Sequence, residues 1–475
     1  MTILAVAAVS SASELETLVK EAQETSPLVL VARAQVEQAL QKHRELTEFF
    51  DIDFFAALGK ADNQRDLPIQ SGYTELTDKA IDAQLGLQVP IEPGAYVALG
   101  GARRLLTDPP GYDELYQTMY GVRVRVPLLR DRGFRNYNLN RAIAMAEYNA
   151  AISHLLAVTQ DVRHSVEIAY IAAYEALSAY RISQGATKRF QGLLDEALAL
   201  DKLQAIPSYQ IFHAQLELQI GKDDEEKARN NFAVSLVNLA NTIGVTRTMA
   251  LAGDQSALLN AAAGARELTL IPEDLALEAR GNYLTAKNEI ERVRLQLETS
   301  LEAQNDDINL YFGVTVQGED PHKPWEMHEL TTDRRVGGEV AIVWRRKFDY
   351  RGDKAREAQF RIRIGELNES LRKQALDIHQ ELETALLQHR AASHRLDLVE
   401  KGIEAAKKHL AAELERFSLG ENSSNNVTDA QKNLTTILQR QSTATADLLR
   451  AKAKYLHATG YRLPAEATPV QNERK

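Results

Sequence analysis

The sequence predicts a mainly α protein, built from long helices with a small β part. Three observations predict it. Alanine, leucine, glutamate, glutamine, lysine and arginine dominate long stretches, as they do in long helices, while aromatic and β-branched residues gather in a few short windows. Those windows alternate apolar and polar residues with a period of two, and the long stretches repeat near the helical period. The chain also runs through one order of features twice: helix, strand, loop, strand, long helical stretch, glycine.

The repeat sets the organisation. Ala214-Gln215 and Gly244 recur with the same spacing at Ala430-Gln431 and Gly460, and at that offset Ser208 meets Ser424 and Ala169 meets Ala385. Earlier in the chain, Asp51-Ile52-Asp53-Phe54-Phe55 meets Asp307-Ile308-Asn309-Leu310-Tyr311 at a larger offset, so the first half carries an extra stretch, residues 61–118. The expected division is a first repeat over 14–245, a linker over 246–272 and a second repeat over 273–461. A polar, disordered tail is expected over 462–475. Residues 1–13 have an apolar stretch and a small-residue exit like the back half of a secretory signal peptide, without the positive leading segment. Both a signal-peptide remnant and a short helical lead-in fit them.

The strands come in pairs. Ile308, Leu310, Phe312, Val314 and Val316 fall on one face of one strand, and Gly338, Val340, Ile342 and Trp344 on one face of the next. In the first half Tyr120, Val122, Val124 and Val126 alternate with Gly121, Arg123 and Arg125, and Ile52, Phe54, Ala56 and Leu58 form a weaker set. Four amphipathic strands can make a small sandwich. Two pairs separated by long helices, however, leave open edges that invite pairing with other copies. Closing several copies into one barrel removes those edges.

The helices are long. Val158, Val162, Val166, Ala169, Ala173 and Leu177 step by three or four residues, and the stretch 134–203 is about 70 residues, or roughly 100 Å as one helix. Gly185 and Gly192 are expected to kink or break it. Leu434, Ile437, Ala444, Leu448, Ala451, Tyr455 and Ala458 form a coiled-coil seam rich in alanine, with Gln441 the polar exception.

Composition excludes several function classes. The formal net charge of −10 argues against a nucleic-acid partner. With no cysteine there is no disulfide, thiolate metal site or cysteine nucleophile. No internal run approaches the roughly 18 apolar residues of a membrane-spanning helix. His322 and His328 flank Trp325 without completing metal-ligand spacing, so no metal or other cofactor is expected. Arg351-Gly352-Asp353 and three glycosylation sequons are short chance matches. No phosphate loop, nucleophile elbow or catalytic pair appears, so the chain does not read as an enzyme.

Val126-Pro127-Leu128-Leu129-Arg130-Asp131-Arg132-Gly133, leading from a strand into a long helix, resembles the strand-to-helix step of the TolC family of outer-membrane efflux proteins. Proline suits that exit because it cannot donate to the ladder. A second signature stands as Arg416-Phe417-Ser418-Leu419-Gly420, Ser423, Asn426-Val427 and Ala430-Gln431. The resemblance covers about 14–461. The sequence departs from the pattern at Gln204, Pro207 and Gln210 in the first-half turn, and at Asn426 in the second.

The resemblance implies a TolC-like long α-helical barrel plus a trimeric transmembrane β-barrel of about four strands per subunit. The extra stretch 61–118 resembles a second hairpin, so the strand count stays open. It also implies a passive homotrimeric exit duct in the outer membrane of a Gram-negative bacterium. Its helical part would lie in the periplasm, and an inner-membrane transporter would drive it through a periplasmic adaptor, or membrane fusion protein. Within that picture Asp429 and Asn426 fall at the pore constriction, where three copies of Asp429 would make an acidic ring. A helix-capping role for Asp429 fits equally. Arg123 and Arg125 would face the barrel lumen, since charge facing lipid is costly; an exposed sheet face has the same alternation. Trp344 and Tyr120 fit either the membrane interface or a core. Ser208, Gly420 and Ser423 mark turns that would meet the adaptor, or that are plain solvated turns. A soluble oligomeric coiled-coil scaffold is the alternative reading; it accounts for the helices but not for the strand pairs.

Overall fold

The structure, a computed structural model, describes residues 2–47, 52–69, 72–91, 94–107, 114–203, 206–251, 255–320, 335–419, 421 and 423–461, with backbone only for 2–13, 61–80, 255–258 and 320. Gln204, His322, Trp325, His328, Gly420 and the tail 462–475 therefore lie outside the described residues.

The elements run in the predicted order. Helices α1 (Thr2–Thr25) and α2 (Pro27–Thr47) precede strands β1 (Asp53–Ile69), β2 (Gly72–Ile91), β3 (Ala95–Thr107) and β4 (Glu114–Pro127). Helices α3 (Arg135–Lys202) and α4 (Tyr209–Ile243) follow, then the short α5 (Gln255–Ala263) and α6 (Glu273–Ala279), and α7 (Gly281–Glu302). Strands β5 (Asp307–Asp320) and β6 (Arg335–Arg345) lead to α8 (Arg351–Ser418) and α9 (Ser424–Ala458). The long helices match in pairs: α3 and α8 each have 68 residues, α4 and α9 each 35. Gly185 and Gly192 do not break α3, contrary to expectation. A helical glycine costs only about 1 kcal/mol, and buried Ala186, Phe190, Leu193 and Leu194 hold that stretch in a core.

The chain forms two compact units. The first draws on Met1–Val36, Ala150–Lys287 and Glu369–Lys475, and the second on Glu37–Asn149 and Asn288–Asn368. In the first unit the predicted seams are the cores. Val162, Val166, Ala173 and Leu177 of α3 are buried with Val19 and Ala22 of α1, Val29 of α2, and Leu239 and Ile243 of α4. On α9, Leu434, Ala444, Leu448, Ala451, Tyr455 and Ala458 are all buried. Each buried Val or Leu is worth about 1.5–3 kcal/mol, and alanine lets neighbouring backbones approach. The recurring glycines have one shared cause. Gly244 and Gly460 close α4 and α9 in the left-handed region, at φ +88° and +67°. The next residue of each then bonds back across the helix end, Val245 N–H to Ala240 O at 3.0 Å and Tyr461 N–H to Leu456 O at 2.8 Å.

The second unit carries one antiparallel sheet in the order β1-β2-β3-β4-β5-β6. Where about four strands were expected and the count was left open, the sheet has six. The extra stretch supplies the end of β1 and most of β2–β4, and Val89↔Val97 and Leu87↔Leu99 register β2 on β3. The reason lies in backbone pairing: an inserted segment beside β1 and β4 satisfies their hydrogen bonds and its own by adding two strands between them.

Candidate functional site

Two regions hold the residues singled out above, one in each unit. The first comprises the turns joining α3 to α4 and α8 to α9. Phe417 is fully buried there with Ile206, Ala214, Leu218, Val427 and Ala430. Gln210, which departs from the family pattern, is buried and accepts the Ser424 backbone N–H on Oε1 at 3.1 Å. It thereby satisfies one of the orphan donors at the start of α9. Ser208 precedes α4 and donates its hydroxyl to Asp201 Oδ1 at 3.2 Å, and Ser423 is the N-cap residue of α9. Gly420 lies outside the described residues.

Asn426 and Asp429 are exposed on the first turns of α9. The cap position belongs to Ser423, so Asp429 lies too far into the helix to cap it. Among the described residues the Asp429 carboxylate has neither a hydrogen bond nor an ion pair. Lys432, three residues on, instead pairs with the buried Glu217 at 2.8 Å. The Ala-Gln pair of the repeat divides by burial. Ala214 and Ala430 are both in the core, but Gln431 is buried and donates to Arg189 O at 3.4 Å, whereas Gln215 is exposed. Glu217 with Lys432, and Gln210 with Ser424, escaped sequence reasoning because each pair is more than 200 residues apart. Among the described residues no group of three or more potential ligands is placed to hold a metal ion.

The second region is the sheet. Its register sorts the side chains cleanly. Phe54, Leu87, Leu99, Val122, Val314 and Val340 share one face, and Phe312, Ile342 and Trp344 extend it. Nearly all are well exposed, Val340 at 74% and Ile342 at 68%. Arg123 and Arg125 are on the opposite face with Tyr96, Tyr311, Thr315 and Glu339. Arg123 Nη2 is 3.1 Å from Glu339 Oε2 across the intervening β5, and the Arg125 guanidinium sits 4.2 Å from the Tyr96 ring centre. Tyr120 and Trp344 are both on the apolar face, and the Trp344 indole donates to Asp306 Oδ2 at 3.1 Å.

The step out of β4 is tightly built. Pro127 is buried and ends the strand opposite Asn309, after which Leu128 N–H bonds Ile308 O at 2.8 Å. Gly133, at φ +63°, lies in the 3₁₀ turn leading into α3, and a Cβ at Gly94 would come within 2.7 Å of its backbone. The Asp131 carboxylate accepts the Asn136 N–H at 2.9 Å. Burial raises its pKa from the ordinary aspartate value.

No family model matches the chain, and no curated protein matches it. Solved structures do. The outer-membrane channel OprN aligns with TM-score 0.67 and 13% identity, over 94% of this chain and 89% of that one. VceC, an outer membrane protein of Vibrio cholerae, gives 0.66 and 13% over 94% and 96%. The open state of the Neisseria gonorrhoeae MtrE channel gives 0.64 and 14% over 94% and 88%. The chain has the TolC-like fold of these outer-membrane channels.

Proposed function

We propose that three copies of this chain form a passive exit duct for efflux or secretion, in the outer membrane of a Gram-negative bacterium with its helical part in the periplasm. The observation that carries this reading is the sheet: one face apolar and exposed, the other polar and charged, with β1 and β6 as unpaired edges. Water makes such a face costly, and lipid makes the open edges costly. Closing several sheets into a barrel resolves both, with the apolar face toward lipid and Arg123 and Arg125 toward the lumen. No described helix is long and apolar enough to cross a membrane. The match of α3 and α4 with α8 and α9 supports a duplicated unit over 14–245 and 273–461.

The duct contributes no energy. An inner-membrane transporter supplies it through a periplasmic adaptor that meets the turns bearing Ser208 and Ser423 and, by its place in the sequence, Gly420. Asp429 and Asn426 ring the pore at those turns, and Asp429 alone carries charge. The strand-to-helix step at Pro127 and Gly133 joins the membrane part to the helical part. No enzyme activity, cofactor or nucleic-acid partner belongs to this reading.

Membrane extraction tests it. The full-length exported protein is expected to require detergent for release and to run as heat-resistant trimers. In planar bilayers it is expected to conduct ions. A protein that stays soluble without detergent and does not trimerise is the coiled-coil scaffold instead.

A further inference from the structure

We infer that the membrane wall of this duct is made by all six strands of each copy, β6 of one copy pairing with β1 of the next. Three copies of a six-stranded sheet then make an eighteen-stranded barrel. The inference rests on the duct reading above and adds which edges meet and how wide the barrel is.

Four observations carry it. First, all neighbouring strands are antiparallel and there are six, so β1 and β6 run in opposite senses. A β6–β1 contact between copies thus continues the up-and-down order without a parallel junction. Second, the apolar face reaches both edges. Phe54 and Leu58 on β1, and Val336, Val340 and Ile342 on β6, are all more than 60% exposed and share the face of Val122 and Val314. An edge hairpin folded away from the wall would have no use for that continuity. Third, each strand has at least 11 residues, enough for the roughly 9–11 that a membrane strand needs. Fourth, the two edges carry one pair of opposite charges, although Arg345 is also 4.0 Å from Asp307 of its own sheet. Asp53 begins β1 and Arg345 ends β6, so both stand at the same end of the sheet. By alternation both belong to the polar face, with Phe55 and Arg123, and both are exposed.

Closure within one copy does not fit. In this structure β1 and β6 are not partners, and a six-stranded barrel would have to enclose Phe55, Tyr96, Arg123, Arg125 and Tyr311. Barrel diameter grows roughly linearly with strand number, so eighteen strands give a lumen about 1.5 times as wide as twelve.

The chain contains no cysteine, so pairs can be introduced on a clean background. Ala57→Cys, on the polar face of β1, is combined in turn with Gly337→Cys, Glu339→Cys, Ala341→Cys and Val343→Cys along β6. A parallel series replaces Ala57→Cys by Ala98→Cys on β3. Each single-cysteine variant is first shown to form trimers and conduct. The expected result is covalent trimers on non-reducing gels with Ala57→Cys at one or two of the β6 positions, and none with Ala98→Cys. Cross-linking from Ala98→Cys instead makes β3 the edge and the barrel four strands per copy, which overturns the inference and leaves the duct intact. Conducting trimers that cross-link in neither series overturn it as well. Absence of trimers in the unmodified protein removes the duct reading and this inference together.

Discussion

A carboxylate on the second turn of a helix, exposed and without a cationic partner, is free to act on a passing ion. Among the described residues Asp429 is such a group, because Lys432 is held by Glu217. Asp429→Asn keeps the shape and removes one charge per copy, so cation selectivity in planar bilayers should fall while conductance persists. Unchanged selectivity would take Asp429 out of the constriction. A second residue carries a pH dependence. His164 of α3 stacks on His457 of α9 with ring centres 4.6 Å apart, and Arg280 donates to His457 O at 2.7 Å. Burial, joined by the positive charges of His457, Lys454 and Arg280, lowers the His164 pKa to about 4, with Asp161 opposing. Asp377 and Glu381 of α8 line the same cavity, and Glu381 is 3.3 Å from Arg280. The folded state therefore refuses a proton that the unfolded chain accepts below about pH 6.5. Stability contributed by neutral His164 is complete above that pH and declines as pH falls from about 6.5 to 4. Thermal unfolding followed over this window should show a shallower acid loss for His164→Gln than for the parent; equal slopes would assign the loss to other groups. Nothing local signals this pair, since His164 and His457 come together only through the fold.

Elements were legible where periodicity extends over many turns. The seams of α3 and α9 could be read residue by residue, because a helix of 68 or 35 residues repeats its apolar step often enough to outweigh exceptions such as Gln441. Strands β4, β5 and β6 were legible through alternation. Strands β2 and β3 were legible only as a hairpin around Gly86–Pro90 and Ala95–Leu99, not over their full length, because Gly86, Gly100 and Gly101 interrupt the alternation and short apolar windows resemble loops. The six-stranded order depends on partners that no single strand specifies. Helix ends were legible through Gly244 and Gly460, whose shared left-handed geometry hides unequal surroundings. A Cβ at Gly460 would lie 2.7 Å from Ala279 O, whereas at Gly244 the nearest atom is Thr25 O at 3.3 Å. Both alanine variants incur the left-handed cost of about 1–2 kcal/mol, and only Gly460→Ala adds a collision with backbone. It should lower the melting temperature of the detergent-solubilised protein more than Gly244→Ala. The reverse order would mean that the α6–α9 contact yields easily.

At the scale of the whole molecule, the sheet faces pose a choice that composition cannot make. An amphipathic sheet with an exposed apolar face is a barrel wall in lipid or a sticky surface in water, and the two differ in the sign of one substitution. Val314 lies mid-strand on the apolar face, opposite Val122 and Gly338. Thr315 is its neighbour on the polar face, opposite Gly121 and Gly337. If the sheet is a membrane wall, Val314→Arg places a guanidinium in hydrocarbon at a cost of about 2–4 kcal/mol per copy near the midplane. Thr315→Arg meets a lumen that already holds Arg123 and Arg125. The expected outcome is loss of membrane-inserted trimers with Val314→Arg and their retention with Thr315→Arg, measured by detergent extraction and heat-resistant migration. In water the order inverts, because a charge at Val314 relieves an exposed apolar patch and improves solubility. The comparison needs no knowledge of cargo or partner. It asks only which solvent the apolar face meets.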